Sequence, residues 1–100
     1  MARFDVYEIR QRSARYVVDV QSDFLSHLAT RVVVPLFPAR ELAGPVAGLN
    51  PVIAIEGKEL TLFTQLLATL PQTDLKSPIA SLAAYRDEIT RALDLLFTGF

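Results

Sequence analysis

Three arginines, Arg10, Arg12 and Arg15, crowd one short polar stretch, and Asp19 follows the last of them by four residues. Arginine and aspartate, with Glu and Thr elsewhere in the chain, are the groups a metal-free ribonuclease works with. Residue type admits Arg15 and Asp19 to such a role, though their spacing does not require it. The same arginines equally suit a solvated turn or a contact for an acidic partner. His27 is the only histidine, with no cysteine anywhere, so thiolate metal sites, thiol nucleophiles and disulfides are excluded, and His27 reads as a surface residue rather than a metal ligand or base. No phosphate-cradling glycine motif, HExxH or EF-hand loop occurs, and no serine sits in a GxSxG context. The chain therefore presents no metal site, no cofactor signature and no catalytic constellation beyond Arg15 and Asp19.

The elements that must position these residues read as strands followed by one helix. Phe4–Ile9 mixes polar and apolar residues at strand spacing, Arg10–Arg15 is a polar turn, and Tyr16–Ser22 is a second strand rich in β-branched residues. In that strand Asp19 and Gln21 fall on one face, Val18 and Val20 on the other. The loop Asp23–Leu28 holds Phe24 and Leu25, which either anchor in the core or serve recognition. Arg31–Leu36 is a third, doubly buried strand expected to end or bulge at Pro35, which cannot donate to a ladder. After a loop punctuated by Pro38, Gly44, Pro45 and Gly48, Val52–Ile55 and Glu59–Phe63 form a hairpin around Glu56-Gly57-Lys58. Gln65–Leu70 is ambiguous between helix and strand. The preceding hairpin favours a strand, ended by Pro71.

Residues 71–80 read as a connector, and a helix is expected from Ser81 or Leu82. Leu82, Tyr85, Ile89, Ala92, Leu93 and Leu96 form its buried stripe, with Arg91 and Asp94 opposite and Gly99 placed to stop it. Asp87 precedes Arg91 by four residues, a favourable helix pair. Leu95 lies off the stripe beside Ala84 and Glu88, as a dimer or partner contact. This order predicts one domain over residues 1–100, mainly β: a small antiparallel sheet or partly open barrel with a C-terminal helix.

Ten basic against eleven acidic side chains give a net charge of −1, which argues against a general electrostatic nucleic-acid binder. Hydrophobic residues make up 51% of the chain, and this surplus fits either a homodimer interface or a denser core. No signal peptide or membrane span is apparent, and a cytoplasmic location is expected. The ending Leu95-Leu96-Phe97-Thr98-Gly99-Phe100 is apolar where termini are usually polar.

Four blocks, in order along the chain, resemble the CcdB family of toxin–antitoxin toxins. They are Phe4-Asp5-Val6-Tyr7; Arg15-Tyr16-Val17-Val18-Asp19-Val20-Gln21-Ser22-Asp23; Val33-Val34-Pro35-Leu36; and the closing Leu95–Phe100. The resemblance implies an SH3-like antiparallel β-barrel or sheet of the kind MazF toxins also have, with one C-terminal helix, assembled as a homodimer. It implies a toxin that is not an enzyme, and that binds the A subunit of DNA gyrase and traps its DNA-cleavage complex. A CcdA-like antitoxin would neutralise it through a flexible acidic segment. The two together would repress their operon, with operator DNA contacted only through the antitoxin. The implied gyrase-binding residues are Phe24, Leu25, Asp94, Phe97, Thr98, Gly99 and Phe100. Two depart from the family pattern: Thr98 stands where gyrase poisons carry Trp, and Asp94 where they carry Asn. A dimer that binds antitoxin but has lost or changed its gyrase target, and a MazF-like endoribonuclease, are the alternatives.

Overall fold

The computed structural model describes residues 2–10, 14–38 and 46–99. Among these residues the strands are β1 (Asp5–Glu8), β2 (Tyr16–Asp19), β3 (Thr30–Phe37), β4 (Val52–Ile55), β5 (Lys58–Leu62), β6 (Ala68–Pro71) and β7 (Ala80–Ser81), and one α-helix, α1 (Arg86–Thr98), ends the fold. The sheet runs β4-β5-β3-β2-β1-β7 with every pairing antiparallel, and β6 also pairs with β3. The result is a mainly β, nearly closed barrel-like sheet with a C-terminal helix, as expected.

β3 is the centre of this topology because it holds three partners. Its first half pairs with β6, its last two residues with β5, and β2 runs along its other edge. Pro35 was expected to end or bulge this strand; β3 does not end there and continues to Phe37. Val20 donates to the Val32 carbonyl, so in the alternating antiparallel ladder the Val17–Pro35 pair is a non-hydrogen-bonded one. The missing N–H of Pro35 therefore points away from β2. It falls at the step where β3 passes from β6 to β5, and the Pro35 carbonyl there accepts from Phe63 N.

At the centre of the sheet, in β1, β2 and β3, both faces are largely buried. On one, Val6, Val18, Val34, Leu36, Ile53 and Leu62 pack beneath Leu82 and Ile89. On the other, Tyr7, Ile9, Val17, Val33, Leu70 and Leu75 form a second cluster. The apolar surplus thus fills a core on each side. Asp19 lies on the second face, fully buried, and Arg31 meets it there: Nε and Nη2 donate to Oδ2 at 2.9 and 2.6 Å. Burial pushes the Asp19 carboxyl up, against the opposing pull of Arg31 and of the Gln21 amide.

Five boundaries differ from the sequence-based expectation. The segment from Gln65 begins with a 3-10 turn (Thr64–Leu66), so β6 starts only at Ala68. The connector 71–80 contributes Ala80 to β7, whose two residues pair with Val6 and Asp5. The helix begins at Arg86, because Ala83–Tyr85 wind as a 3-10 turn and no side chain caps the N-terminus. Phe4, expected in the first strand, has φ 75°. That conformation is costly for an aromatic residue, and it is held by Phe4 N donating to Asp19 O and Leu82 N donating to Phe4 O. The hairpin turn is Glu56-Gly57, with φ 51° and 79°, while Lys58 already pairs with Ile55.

Removing one member of a buried ion pair strands the other charge. Asp19→Ala or Arg31→Met is expected to lower unfolding free energy by about 3–5 kcal/mol, and joint replacement by apolar residues to recover most of it. Urea unfolding of the three variants measures this.

Candidate functional site

Two apolar features project from the fold. After β2 the chain turns through a 3-10 helix, Asp23–Leu25. Ser22 caps it, Oγ accepting from Phe24 N at 3.2 Å, and Asp23 Oδ1 accepts from Arg3 N at 2.9 Å. Phe24 is 87% exposed, and Leu25 and Leu28 are exposed beside it. Leu25 and Phe24 thus lie where a recognition role needs them, and core anchoring is excluded for Phe24. Leu28 is an exposed member of the same loop that the family pattern did not single out; its apolar type in a loop was the available signal.

The second feature is the end of α1. Phe97 is 69% exposed, and Asp94 and Thr98 are also exposed. Thr98 Oγ1 donates to the Asp94 carbonyl at 2.7 Å, so the hydroxyl serves its own helix. Gly99 stops the helix in the left-handed region (φ 83°), its N–H donating to Leu95 O. Phe100 lies outside the described residues. The structure therefore places Phe24, Leu25, Asp94, Phe97, Thr98 and Gly99 at the surface, in two patches. No hydrogen bond or ion pair joins the patches among the described residues. Leu95, expected at a dimer or partner contact, is half-buried: a Cβ on Gly48 would meet its Cδ2 at 3.5 Å. It borders a groove of about 290 Å³ shared with Pro51, Glu88 and Arg91.

The two residues with ribonuclease-compatible chemistry part company. Asp19 is sealed in the interior with Arg31 and cannot meet a solvent-borne substrate. Arg15 is exposed, its Nε donating to Glu8 Oε2 at 2.7 Å across the β1–β2 hairpin, and Glu8 holds the guanidinium further into its charged form. Glu8 also lines a cleft of about 420 Å³ with Ile9, Arg10, Asp74 and Lys76. Sequence reasoning missed Glu8, seven residues from Arg15, because only the hairpin register brings them together. Arg12 lies outside the described residues. His27 is exposed, and among the described residues no cluster of three metal-ligating side chains forms.

A nearly closed, barrel-like antiparallel sheet with a terminal helix and a protruding apolar loop defines the class of fold. The family model described as CcdB protein matches residues 3–99, and the chain belongs to the CcdB family of toxin–antitoxin toxins. Similar solved structures include an endoribonuclease in complex with its cognate antitoxin from a mycobacterial species (17% identity, TM-score 0.76, covering 94% of this chain and 91% of that one). A second mycobacterial endoribonuclease matches at 18% identity with TM-score 0.75, covering 94% and 88%. The Mycobacterium tuberculosis toxin MazF-mt6 matches at 22% identity with TM-score 0.66, covering 93% and 95%. These likenesses establish the shared fold. They also correct the expectation that the chain is no enzyme: endoribonucleases share this fold over almost the whole chain, so the fold supplies no ground for excluding catalysis.

At Gly99 a Cβ meets nothing within 4 Å, so only the backbone conformation resists substitution. Gly99→Ala is expected to cost about 1 kcal/mol through left-handed strain, loosening the last helical turn without unfolding the domain. Thermal unfolding, with amide exchange at Gly99 and its neighbours, measures both effects.

Proposed function

We propose that this toxin acts in the cytoplasm by binding the A subunit of DNA gyrase and trapping its cleavage complex. The proposed contact surface is Phe24, Leu25, Asp94, Phe97, Thr98, Gly99 and Phe100. The observation that carries this reading is the exposure of Phe24 and Phe97 on ordered elements. Large aromatic side chains held in water by a well-bonded loop and a helix end contribute nothing to the core, and they are the residue type that dominates protein-binding energy. The family pattern points to the same positions. The toxin in this reading is a homodimer, neutralised by a CcdA-like antitoxin with an acidic segment, and the pair together represses its operon through antitoxin-borne DNA contacts. The mycobacterial endoribonuclease of similar fold, which is in complex with its cognate antitoxin, supports an antitoxin partner. Induction in a host with its own gyrase is expected to arrest growth and accumulate cleaved DNA–gyrase complexes. Phe24→Ala and Phe97→Ala are each expected to weaken capture of purified gyrase A subunit roughly thirtyfold, the effect of an anchor contributing about 2 kcal/mol. Absence of both growth arrest and cleavage complex would sink this reading.

A second reading, RNA cleavage, is favoured by one specific observation. Arg15 and Glu8 form an exposed acid–base pair, and Glu8 lines the 420 Å³ cleft together with the cations Arg10 and Lys76 and the carboxylate of Asp74. A guanidinium there suits a phosphate, and a carboxylate suits proton transfer from an attacking hydroxyl. Purified toxin incubated with RNA is expected to cleave it if this site is active, and Arg15→Ala to abolish cleavage. Intact RNA after incubation with excess toxin would dismiss it. Asp19 variants are uninformative here, because they strand a buried Arg31.

A further inference from the structure

A buried side chain, Gln21, ties the exposed Phe24 loop to the interior. At the end of β2 the chain leaves the ladder. Val20 N still donates to Val32 O, but the Val20 carbonyl is taken by Arg3 Nε at 3.0 Å and Val32 N needs another acceptor. Gln21 supplies it: Val32 N donates to Gln21 Oε1 at 3.0 Å. The other end of the same carboxamide, Nε2, donates to Leu25 O at 3.1 Å, inside the exposed loop. The Gln21 backbone amide donates to Asp19 Oδ1 at 3.0 Å, the carboxylate whose other oxygen holds Arg31. A continuous chain of bonds thus runs from the buried ion pair, through Gln21, to the carbonyl next to Phe24.

The geometry points to Gln21 as a positioning residue that holds the Phe24–Leu28 loop in its partner-ready shape before any partner arrives. The inference deepens the gyrase-binding reading and rests on it for the identity of the partner. Three features of the loop and its surroundings support it. Gln21 is buried while every residue from Ser22 to Thr30 is exposed, so the loop has no apolar core of its own to order it. The loop's own bonds (Leu25 N to Ser22 O, Ser26 N to Asp23 O, Leu28 N to Leu25 O) are local and solvent-facing. Gln21 and the Asp23–Arg3 contact are what join it to the sheet by side-chain bonds among the described residues. An aromatic anchor on a loop already ordered binds without the cost of ordering it, which is where such a brace acts.

Two substitutions separate the halves of the brace. Gln21→Glu keeps an acceptor for Val32 N but removes the donor to Leu25 O; Gln21→Ala removes both. Amide hydrogen exchange on the whole protein reads loop order with no partner present. In Gln21→Glu the amides of Leu25, Ser26 and Leu28 are expected to exchange about fivefold to tenfold faster, as the loss of one hydrogen bond allows, while those of α1 stay as in the wild type. Capture by purified gyrase A subunit is expected to weaken by a similar factor in Gln21→Glu, and Phe24→Ala to weaken it further without altering loop exchange. Unchanged loop exchange in both Gln21 variants overturns the inference. So does faster exchange with undiminished capture, provided Phe24→Ala does impair capture. If Phe24→Ala leaves capture unchanged, the gyrase reading falls instead, and loop exchange alone decides whether Gln21 is the brace.

Discussion

A charge pair with no access to water sits at the middle of this sheet, and much of the architecture follows from it. Burying Asp19 and Arg31 costs several kcal/mol per ion before their attraction offsets it, so the arrangement survives only where geometry is tightly constrained. Here both donors of Arg31 converge on one carboxylate oxygen and the other oxygen takes the Gln21 amide. The remaining guanidinium nitrogen, Nη1, and the Tyr7 hydroxyl on the same face are buried without a hydrogen-bond partner among the described residues. Burial, reinforced by the carboxylates of Asp5 and Asp19, holds that phenol above its usual range. A slip of β2 against β3 by one residue would turn Asp19 into the opposite core and leave Arg31 alone. The pair therefore penalises wrong register far more than it rewards the right one.

The register fixed this way sets everything exposed. With Asp19 opposite Val33, β2 ends where Gln21 can reach Val32, and the loop leaves the sheet at Ser22. With Val6 opposite Val18, Glu8 comes opposite Tyr16, which puts Arg15 in reach of Glu8. Both candidate surfaces are thus consequences of strand register: the apolar loop of β2 against β3, and the acid–base pair of β1 against β2.

The class of fold was legible because its signals are local. The β-branched run at Tyr16–Val20, the Glu56-Gly57 turn and the stripe Ile89–Leu96 each carry their own period or turn chemistry. Double burial of β2 was not legible: Asp19 and Gln21 read as a polar outer face, and only a partner from β3 turns that face inward. The late helix start has a similar cause. Leu82 and Tyr85 are in phase with Ile89, yet Leu82 continues the β7 connection and the chain winds through a tighter turn before Arg86. β7 itself has two residues, too few for any period. For the candidate site, Phe24 and Phe97 were legible as apolar residues where polar ones are expected. Glu8 was not, since its meeting with Arg15 depends on hairpin register, and neither was the brace at Gln21, whose side chain bridges two strands and a loop.

Energetics bear on which aromatic carries the helix tip. Full burial of a phenylalanine removes roughly 150–250 Å² from water, which at about 25 cal/mol per Å² outweighs a cation–π contact of ~0.5–2 kcal/mol. The residue at position 98 in this chain gives neither: Thr98 turns its hydroxyl back to Asp94 O and offers a methyl. Phe97 offers the area, but neighbouring helix positions differ by about 100° around the axis, so its ring meets a different part of a receptor than a side chain at position 98 would. Asp94 adds a carboxylate close to the tip where the family pattern has a neutral amide. On the gyrase-binding reading proposed above, an aromatic displaced round the helix with a negative charge beside it calls for a receptor that differs in the same two respects: an apolar pocket turned toward position 97, and a cation near position 94. Phe24, on its braced loop, does not depend on either change.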